Sequence, residues 1–174
     1  SPSSYEGLKH AMQQALYSES KLVAVRYPRG AQRAIPESIK PTFEDFDVFG
    51  DEKAEKAIVT YGRTFSACAF AYEKLLNAGE SVKLIKLNRI IPVCEGAVEA
   101  AKTCKDIYFF EEGIRRGGAG EGFLFDLSKA GFGGKYHLRA IENGFVKQAS
   151  VESLLHEYGF DEEGVLSFIA SAED

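Results

Sequence analysis

The sequence predicts an α/β protein, a three-layer sandwich built on a mostly parallel sheet of about five strands. From residue 57 onward, short apolar runs typical of strands alternate with longer segments of helical periodicity. Turns that contain glycine, such as Asn77-Ala78-Gly79, separate many of these segments. This alternation is typical of a parallel sheet whose crossover helices cover both faces.

The first thirty residues have a different character. A helical pattern places Leu8, Met12 and Leu16 on one face, and a short apolar run at residues 22–25 predicts a strand. One helix and one strand cannot bury their own apolar faces. Residues 1–30 are therefore predicted to be the tail of another domain, within a chain that continues upstream.

The next segment, residues 31–56, has no sustained periodicity and is predicted to be a linker. Pro36 and Pro41 interrupt it, and acidic residues follow them. Phe43 and Phe49 are more apolar than a free linker needs. We expect the segment to pack along a surface.

The remainder carries the regular pattern. Strands are predicted at residues 57–61, 82–87, 106–110 and 136–141. Helices are predicted at residues 64–77, 95–102, 119–130, 150–158 and 162–170. Thr64 and Ser150 are the predicted N-caps of the first and fourth of these helices, and Gly159 is the predicted stop of the fourth.

Composition excludes several classes of function. The formal net charge of -5 and the absence of a Lys/Arg cluster argue against a nucleic-acid surface. No apolar run approaches the roughly 18 residues of a membrane span. Three cysteines without C-x-x-C spacing and three scattered histidines predict no metal site. We expect a cytoplasmic protein without nucleic acid or membrane contact.

The most informative stretch is residues 108–122, where an aromatic strand leads into two carboxylates, a glycine-rich turn and a helix. Loops at the carboxyl ends of such strands meet ligands and partners. Glu111 and Glu112 could serve as a general base, a proton relay, a subunit contact or a solvated acidic pair. All four alternatives remain open at this point.

The glycines that follow, Gly117, Gly118 and Gly120, could let backbone N–H groups approach a phosphate. Their spacing is not G-x-G-x-x-G, and no acidic residue ends the next strand to bind a ribose. A tight strand-to-helix turn explains them better. Together with the two glutamates, they mark a possible interface or active-site edge.

Two arginines directly follow predicted strands. Arg26 comes after residues 22–25, and Arg89 comes soon after residues 82–87. A guanidinium suits a bidentate grip on a phosphate or carboxylate, but an ion pair with a neighbouring acid would explain each equally well. Arg115 and Arg116 lie in a loop, where charges are usually solvated.

The order of these segments resembles the C-terminal third of the transketolase-like thiamine diphosphate enzymes. The motif RYPRG at residues 26–30, the arginine before Pro92, and Glu111-Glu112 followed by GGAG occur in that family in this order. The tail from Phe145 to Val165 is also similar. The closest resemblance is to the branch that condenses pyruvate with glyceraldehyde 3-phosphate.

This resemblance implies a division of the chain into residues 1–30, the end of a pyrimidine-binding domain, residues 31–56, a linker, and residues 57–174, a transketolase C-terminal domain. It implies that Arg26 and Arg89 bind the substrate phosphate. It places thiamine diphosphate, Mg²⁺ and the catalytic residues outside this chain, so the fragment is expected to be inactive alone, with no bound cofactor, and to belong to a homodimer.

The sequence departs from the family pattern near Pro92 and at Arg115 and Arg116, which leaves the substrate open. A transketolase or a 2-oxoacid dehydrogenase type subunit would share the architecture. A non-catalytic interaction module could reuse the same sheet.

Overall fold

The structure is a computed structural model that describes residues 1–17, 22–142 and 144–172. The helices within these residues are α1 Tyr5–Tyr17, α2 Thr64–Asn77, α3 Glu95–Lys102, α4 Ala119–Lys129, α5 Val151–Glu157 and α6 Glu162–Ser171. The strands are β1 Phe46–Phe49, β2 Lys56–Tyr61, β3 Val82–Leu87, β4 Asp106–Ile114 and β5 Lys135–Ile141.

The five strands form one sheet in the order β1-β3-β2-β4-β5. Strands β3, β2, β4 and β5 are parallel, and β1 adds antiparallel to the edge of β3. Strands β2 and β4 contain continuous apolar runs, at residues 57–59 and 107–110, because both of their faces are covered. The predicted α/β class and mostly parallel sheet are confirmed.

The core has two layers because neighbouring strand residues point to opposite faces of the sheet. On one face, Ile58 and Phe110 pack with buried residues of α2 and α6. On the other face, Val59 and Phe109 pack with buried residues of α3 and α4. Helices on both sides of the sheet confirm the predicted three-layer sandwich.

The segment at residues 31–56 packs against the sheet, as expected. Ile39 is buried in the core beside α2, and β1 lies inside the segment. Phe46 pairs with Leu87 and Phe49 with Leu84. The sequence pattern did not predict β1, because a four-residue edge strand is held by long-range pairing. The domain boundaries themselves stay a prediction.

The predicted strand at residues 22–25 is not formed. A strand needs a neighbouring strand for its backbone hydrogen bonds, and none of the described strands lies beside this run. Helix α1 has no buried residue, although His10 stacks on Phe43 with a ring-centroid distance of 5.1 Å.

Two local predictions need correction. Strand β4 runs on to Ile114, so Glu111 and Glu112 lie inside the strand, where the pairing with β5 shifts register between Phe110 and Ile114. Thr64 is the first residue of α2 rather than its N-cap, which is Arg63. The Thr64 hydroxyl turns back and donates 2.9 Å to the carbonyl of Tyr61.

The predicted N-cap and glycine stop of α5 are confirmed. The Ser150 hydroxyl accepts a 3.2 Å hydrogen bond from the backbone N–H of Ser153 and caps α5. Gly159 follows α5 with a φ of +69°, a conformation that glycine adopts without steric cost. Among the described helices, none is both long and apolar enough to span a bilayer.

Candidate functional site

The sheet topology creates a crevice between the carboxyl ends of β2 and β4. Helix α2 leaves β2 toward β3 on one face of the sheet, while α4 leaves β4 toward β5 on the other face. Adjacent parallel strands whose connections diverge in this way open a cleft at their carboxyl ends, where ligands of α/β proteins bind.

A cavity of about 240 Å³ lies at this position. Its lining includes the end of β2 and the residues that follow it, Glu112 of β4, and the segment that carries RYPRG. Three arginines line it, Arg26, Arg29 and Arg63, with a single carboxylate, Glu112. The cavity is smaller than the roughly 300–1,000 Å³ pockets that bury drug-sized ligands, so it suits a small anionic group.

Arg26 reaches the cavity across the ring of Tyr61. Its Nη1 lies 3.4 Å from the Tyr61 hydroxyl, and its guanidinium carbon lies 5.6 Å from the ring centroid. This cation–π contact orients the guanidinium without using all of its N–H donors. The structure therefore brings one of the two predicted phosphate-binding arginines to the cavity.

Arg63 is the most enclosed of the three cavity arginines, since its side chain is 16% exposed and Arg26 and Arg29 are exposed residues. Its Nη2 donates 2.9 Å to the carbonyl of Arg29, which fixes the guanidinium against the RYPRG segment. Its Nε lies 3.4 Å from Oε1 of Glu112. Oε1 of Glu112 is buried and accepts no hydrogen bond from the described residues. The pair is therefore a charge contact without a formed hydrogen bond.

Glu111 has a different role from its neighbour. It is fully buried, and its carboxylate accepts hydrogen bonds from the Tyr61 hydroxyl at 2.8 Å, the N–H of Ala119 at 3.1 Å and the N–H of Gly120 at 2.9 Å. A carboxylate at a helix N-terminus accepts hydrogen bonds from amides that have no partner within the helix, and its negative charge interacts favourably with the helix dipole. Glu111 thus caps α4, and a solvated position is excluded for it.

The same carboxylate acts on the neighbouring phenols. Burial, reinforced by the charge and hydrogen bond of Glu111, raises the pKa of Tyr61 well above its ordinary value. Burial and the charge of Glu111 also raise the pKa of Tyr136. Both phenols therefore stay protonated at neutral pH and act as hydrogen-bond donors.

The glycine-rich turn is shaped by close packing. A Cβ on Gly118 would meet Oε1 of Glu111 at 2.5 Å, and a Cβ on Gly120 would meet the Leu138 side chain at 2.5 Å. Gly117 has a φ of +78°. Since the amide of Gly120 binds Glu111, it is not free for a ligand phosphate. These contacts favour the interpretation as a tight strand-to-helix turn.

Arg89 follows the carboxyl end of β3 and lies outside the cavity. Its Nη2 lies 2.8 Å from Oδ2 of Asp45. Both side chains are nearly half exposed, at 47% and 45%. The ion-pair alternative is therefore present in the structure, and the phosphate role of Arg89 stays a prediction.

Arg63 was not among the residues predicted for the site, and Arg115 was predicted to be solvated. Arg63 follows β2 across a single glycine, a position like those that drew attention to Arg26 and Arg89. Arg115 is not simply solvated, because its Nε lies 2.6 Å from Glu142 and its Nη2 donates 2.8 Å to the carbonyl of Leu138. No group of three or more candidate metal ligands occurs within residues 1–17, 22–142 and 144–172.

Comparison with known proteins adds to this geometry. The profile of the family described as "Transketolase, C-terminal domain" matches residues 50–165. The chain is 30% identical over 176 residues to a 1-deoxy-D-xylulose-5-phosphate synthase of Bacillus mycoides, covering 92% of the chain and 26% of that protein. It is 27% identical over 175 residues to the enzyme of that name from Bacteroides fragilis, and the match covers 97% of the chain and 27% of that protein.

The chain thus spans about a quarter of the length of these curated relatives. Among solved structures, one titled "Split gene transketolase, inactive beta4 tetramer" superimposes with a TM-score of 0.68 at 20% identity. The match covers 81% of this chain and 47% of that one. At this identity the likeness supports the fold alone.

Proposed function

Because the chain belongs to the family of transketolase C-terminal domains, we propose that it is the C-terminal part of a thiamine diphosphate-dependent synthase. The reaction we propose condenses pyruvate with glyceraldehyde 3-phosphate to 1-deoxy-D-xylulose 5-phosphate, with loss of carbon dioxide. The names of the curated relatives, over nearly the whole chain, support this choice within the family.

The observation that carries the proposal is the arginine-lined cavity. The charged side chains of its wall, Arg26, Arg29, Arg63 and Glu112, sum to a formal charge of +2. A phosphate monoester carries about -1.5 to -2 at neutral pH, and guanidinium forks match its oxygens. The role of this chain is then to hold the phosphate of the aldehyde through Arg26, with Arg89 as the second predicted contact.

The described residues include no group of three or more candidate metal ligands. From the resemblance to the C-terminal third of the family, and not from this absence, we assign thiamine diphosphate, Mg²⁺ and the catalytic residues to parts of the protein outside this chain. We expect the whole enzyme to be a cytoplasmic homodimer and the fragment alone to be inactive.

The test is an assay of the full-length protein that contains this chain, with thiamine diphosphate, Mg²⁺, pyruvate and glyceraldehyde 3-phosphate. Formation of 1-deoxyxylulose 5-phosphate is expected, and the 174-residue chain alone should form none. Transfer of a ketol group between sugar phosphates, without use of pyruvate, would instead indicate a transketolase. The absence of both activities would favour an interaction module.

A further inference from the structure

We propose that Arg63 is a third phosphate-binding residue of the cavity and that Glu112 is its resting counter-ion, which the substrate phosphate replaces. This inference rests on the proposed function, because it concerns the phosphate of the same substrate. In this role Arg63 selects the phosphorylated substrate and takes no part in the chemical step.

The geometry of Arg63 leaves donors for a ligand. One guanidinium nitrogen, Nη2, is bound to the carbonyl of Arg29 at 2.9 Å, which holds the side chain at the cavity wall. Nε faces Glu112 at 3.4 Å without forming a hydrogen bond that satisfies the carboxylate. A guanidinium has five N–H donors, so it can bind two phosphate oxygens while it keeps its contact to Arg29.

Burial makes this guanidinium the strongest anion attractor in the cavity. The Arg63 side chain is 16% exposed, whereas Arg26 and Arg29 are exposed residues. Electrostatic attraction weakens as the surroundings become more like water, and dissolved salt screens exposed charges. Arg63 should therefore contribute more to phosphate binding per charge than either exposed arginine.

Glu112 is poorly held in its present position. Its Oε1 is buried and accepts no hydrogen bond within the described part of the chain. A buried acceptor without a donor costs free energy, and more so when it is charged. Because a phosphate offers three acceptor oxygens to the same donors, it can satisfy Arg63 better than Glu112 does. The Glu112 side chain, 31% exposed, can turn toward solvent.

The alternative explanation is that Arg63 and Glu112 form a purely structural ion pair. In that case, removing either partner disturbs the cavity, and both substitutions weaken phosphate binding. If Glu112 instead competes with the ligand, removing it tightens phosphate binding, while removing Arg63 weakens it. The two explanations therefore differ in the sign of one effect.

The experiment titrates inorganic phosphate by calorimetry into the full-length protein that contains this chain, saturated with thiamine diphosphate and Mg²⁺ and free of substrate, and into its Arg63→Gln and Glu112→Gln variants. We expect Arg63→Gln to raise the Kd about 10-fold, the loss of roughly one charge-assisted hydrogen bond. We expect Glu112→Gln to lower the Kd about 3-fold, in line with a partly exposed ion pair. Matched controls are Arg116→Gln in the β4–α4 loop and Glu157→Gln in α5, both exposed positions that should leave the Kd unchanged.

The same variants in the full-length enzyme should shift the KM for glyceraldehyde 3-phosphate in the same two directions. The KM for unphosphorylated glyceraldehyde should not change. If Arg63→Gln does not fold, Arg63→Lys takes its place, because lysine keeps the positive charge but has fewer N–H donors. Arg63→Lys should raise the phosphate Kd about 3-fold.

The inference would be overturned if the two variants changed the Kd in the same direction, if either left it unchanged, or if the parent protein bound no phosphate. The titration does not depend on catalysis. If the full-length protein forms no 1-deoxyxylulose 5-phosphate while the titration gives opposite signs, the phosphate site stands and the synthase function falls.

Discussion

The Tyr61 hydroxyl donates a 2.8 Å hydrogen bond to the Glu111 carboxylate and so ties the end of β2 to β4 beside the arginine-lined cavity. The same carboxylate caps α4 through the amides of Ala119 and Gly120. One buried acid thus joins two strands and a helix. Tyr61 in turn supports Arg26, so the position of the predicted phosphate contact depends on this acid.

Replacement of Glu111 by Ala should destabilise the fold. The change leaves the Tyr61 hydroxyl and two backbone amides without their acceptor in a buried site, which should cost about 2–4 kcal/mol of unfolding free energy. Urea unfolding of the two proteins measures this difference. The exposed control Glu157→Ala should change the free energy by no more than about 0.5 kcal/mol, and an equally small loss for Glu111→Ala would contradict the capping role.

The glycines of α4 should respond in opposite ways to alanine. A Cβ at Gly120 would come within 2.5 Å of Leu138 and 2.9 Å of Phe109, so Gly120→Ala should cost about 1–3 kcal/mol. A Cβ at Gly122, on the same helix, meets nothing within 4 Å. Gly122→Ala should therefore stabilise the protein by about 0.5–1 kcal/mol through its better helix propensity. Thermal unfolding that ranks the two variants the other way round would contradict the packing described for this turn.

The pattern of apolar runs was enough to predict most of the sheet and its helices. Strand β3 and helix α3 were predicted at their observed bounds, because a buried central strand and an amphipathic helix each have a strong local signal. The run at residues 22–25 has that signal too. It forms no strand, since pairing depends on neighbours that local sequence does not specify.

The site was only partly predictable for the same reason. Arg26 and the glycine-rich turn could be singled out because they follow strand-like runs. The bond of Glu111 to Tyr61 could not, because Tyr61 is 50 residues away in sequence and only the folded sheet brings the two side chains together. Arg63 also follows a strand-like run, but its burial beside Glu112 and its bond to the Arg29 carbonyl depend on long-range packing that local sequence does not specify.

Arg89 and Asp45 allow a direct choice between the two roles of Arg89. If Arg89 binds the substrate phosphate, Arg89→Ala should raise the KM for glyceraldehyde 3-phosphate about 10-fold in the full-length enzyme, and pyruvate-dependent decarboxylation should be largely intact. Asp45→Asn removes the ion pair but keeps the arginine, so it should not raise this KM. Unchanged kinetics in Arg89→Ala would leave Arg89 with the structural ion pair alone.

The contact between His156 and Asp161 should make stability depend on pH. Nδ1 of His156 lies 2.7 Å from Oδ2 of Asp161, and this hydrogen bond and charge raise the pKa of His156 above its ordinary 6.5. Burial alone would raise the pKa of Asp161, but the hydrogen bonds from His156 and the N–H of Gly164 hold it below its ordinary 3.8.

A histidine whose pKa is higher in the folded than in the unfolded state stabilises the fold at pH values below its unfolded pKa. This contribution is lost as the pH rises through the pKa of the folded state. A lowered aspartate pKa stabilises the fold above its unfolded pKa and is lost under stronger acid. The pair should therefore contribute most between about pH 4 and 6.5. The stability difference between the parent chain and His156→Gln should be larger near pH 5 than near pH 9 in urea unfolding. An equal difference at both values would argue against the ion pair.

The most direct test of the central claim is the KM of the Arg26→Ala variant of the full-length enzyme, measured with glyceraldehyde 3-phosphate and with unphosphorylated glyceraldehyde. If the cavity holds the substrate phosphate through Arg26, the KM for the phosphorylated aldehyde should rise about 10- to 100-fold, and the KM for the unphosphorylated aldehyde should stay unchanged. Equal changes for both aldehydes, or no change for either, would contradict a phosphate site at the crevice between β2 and β4.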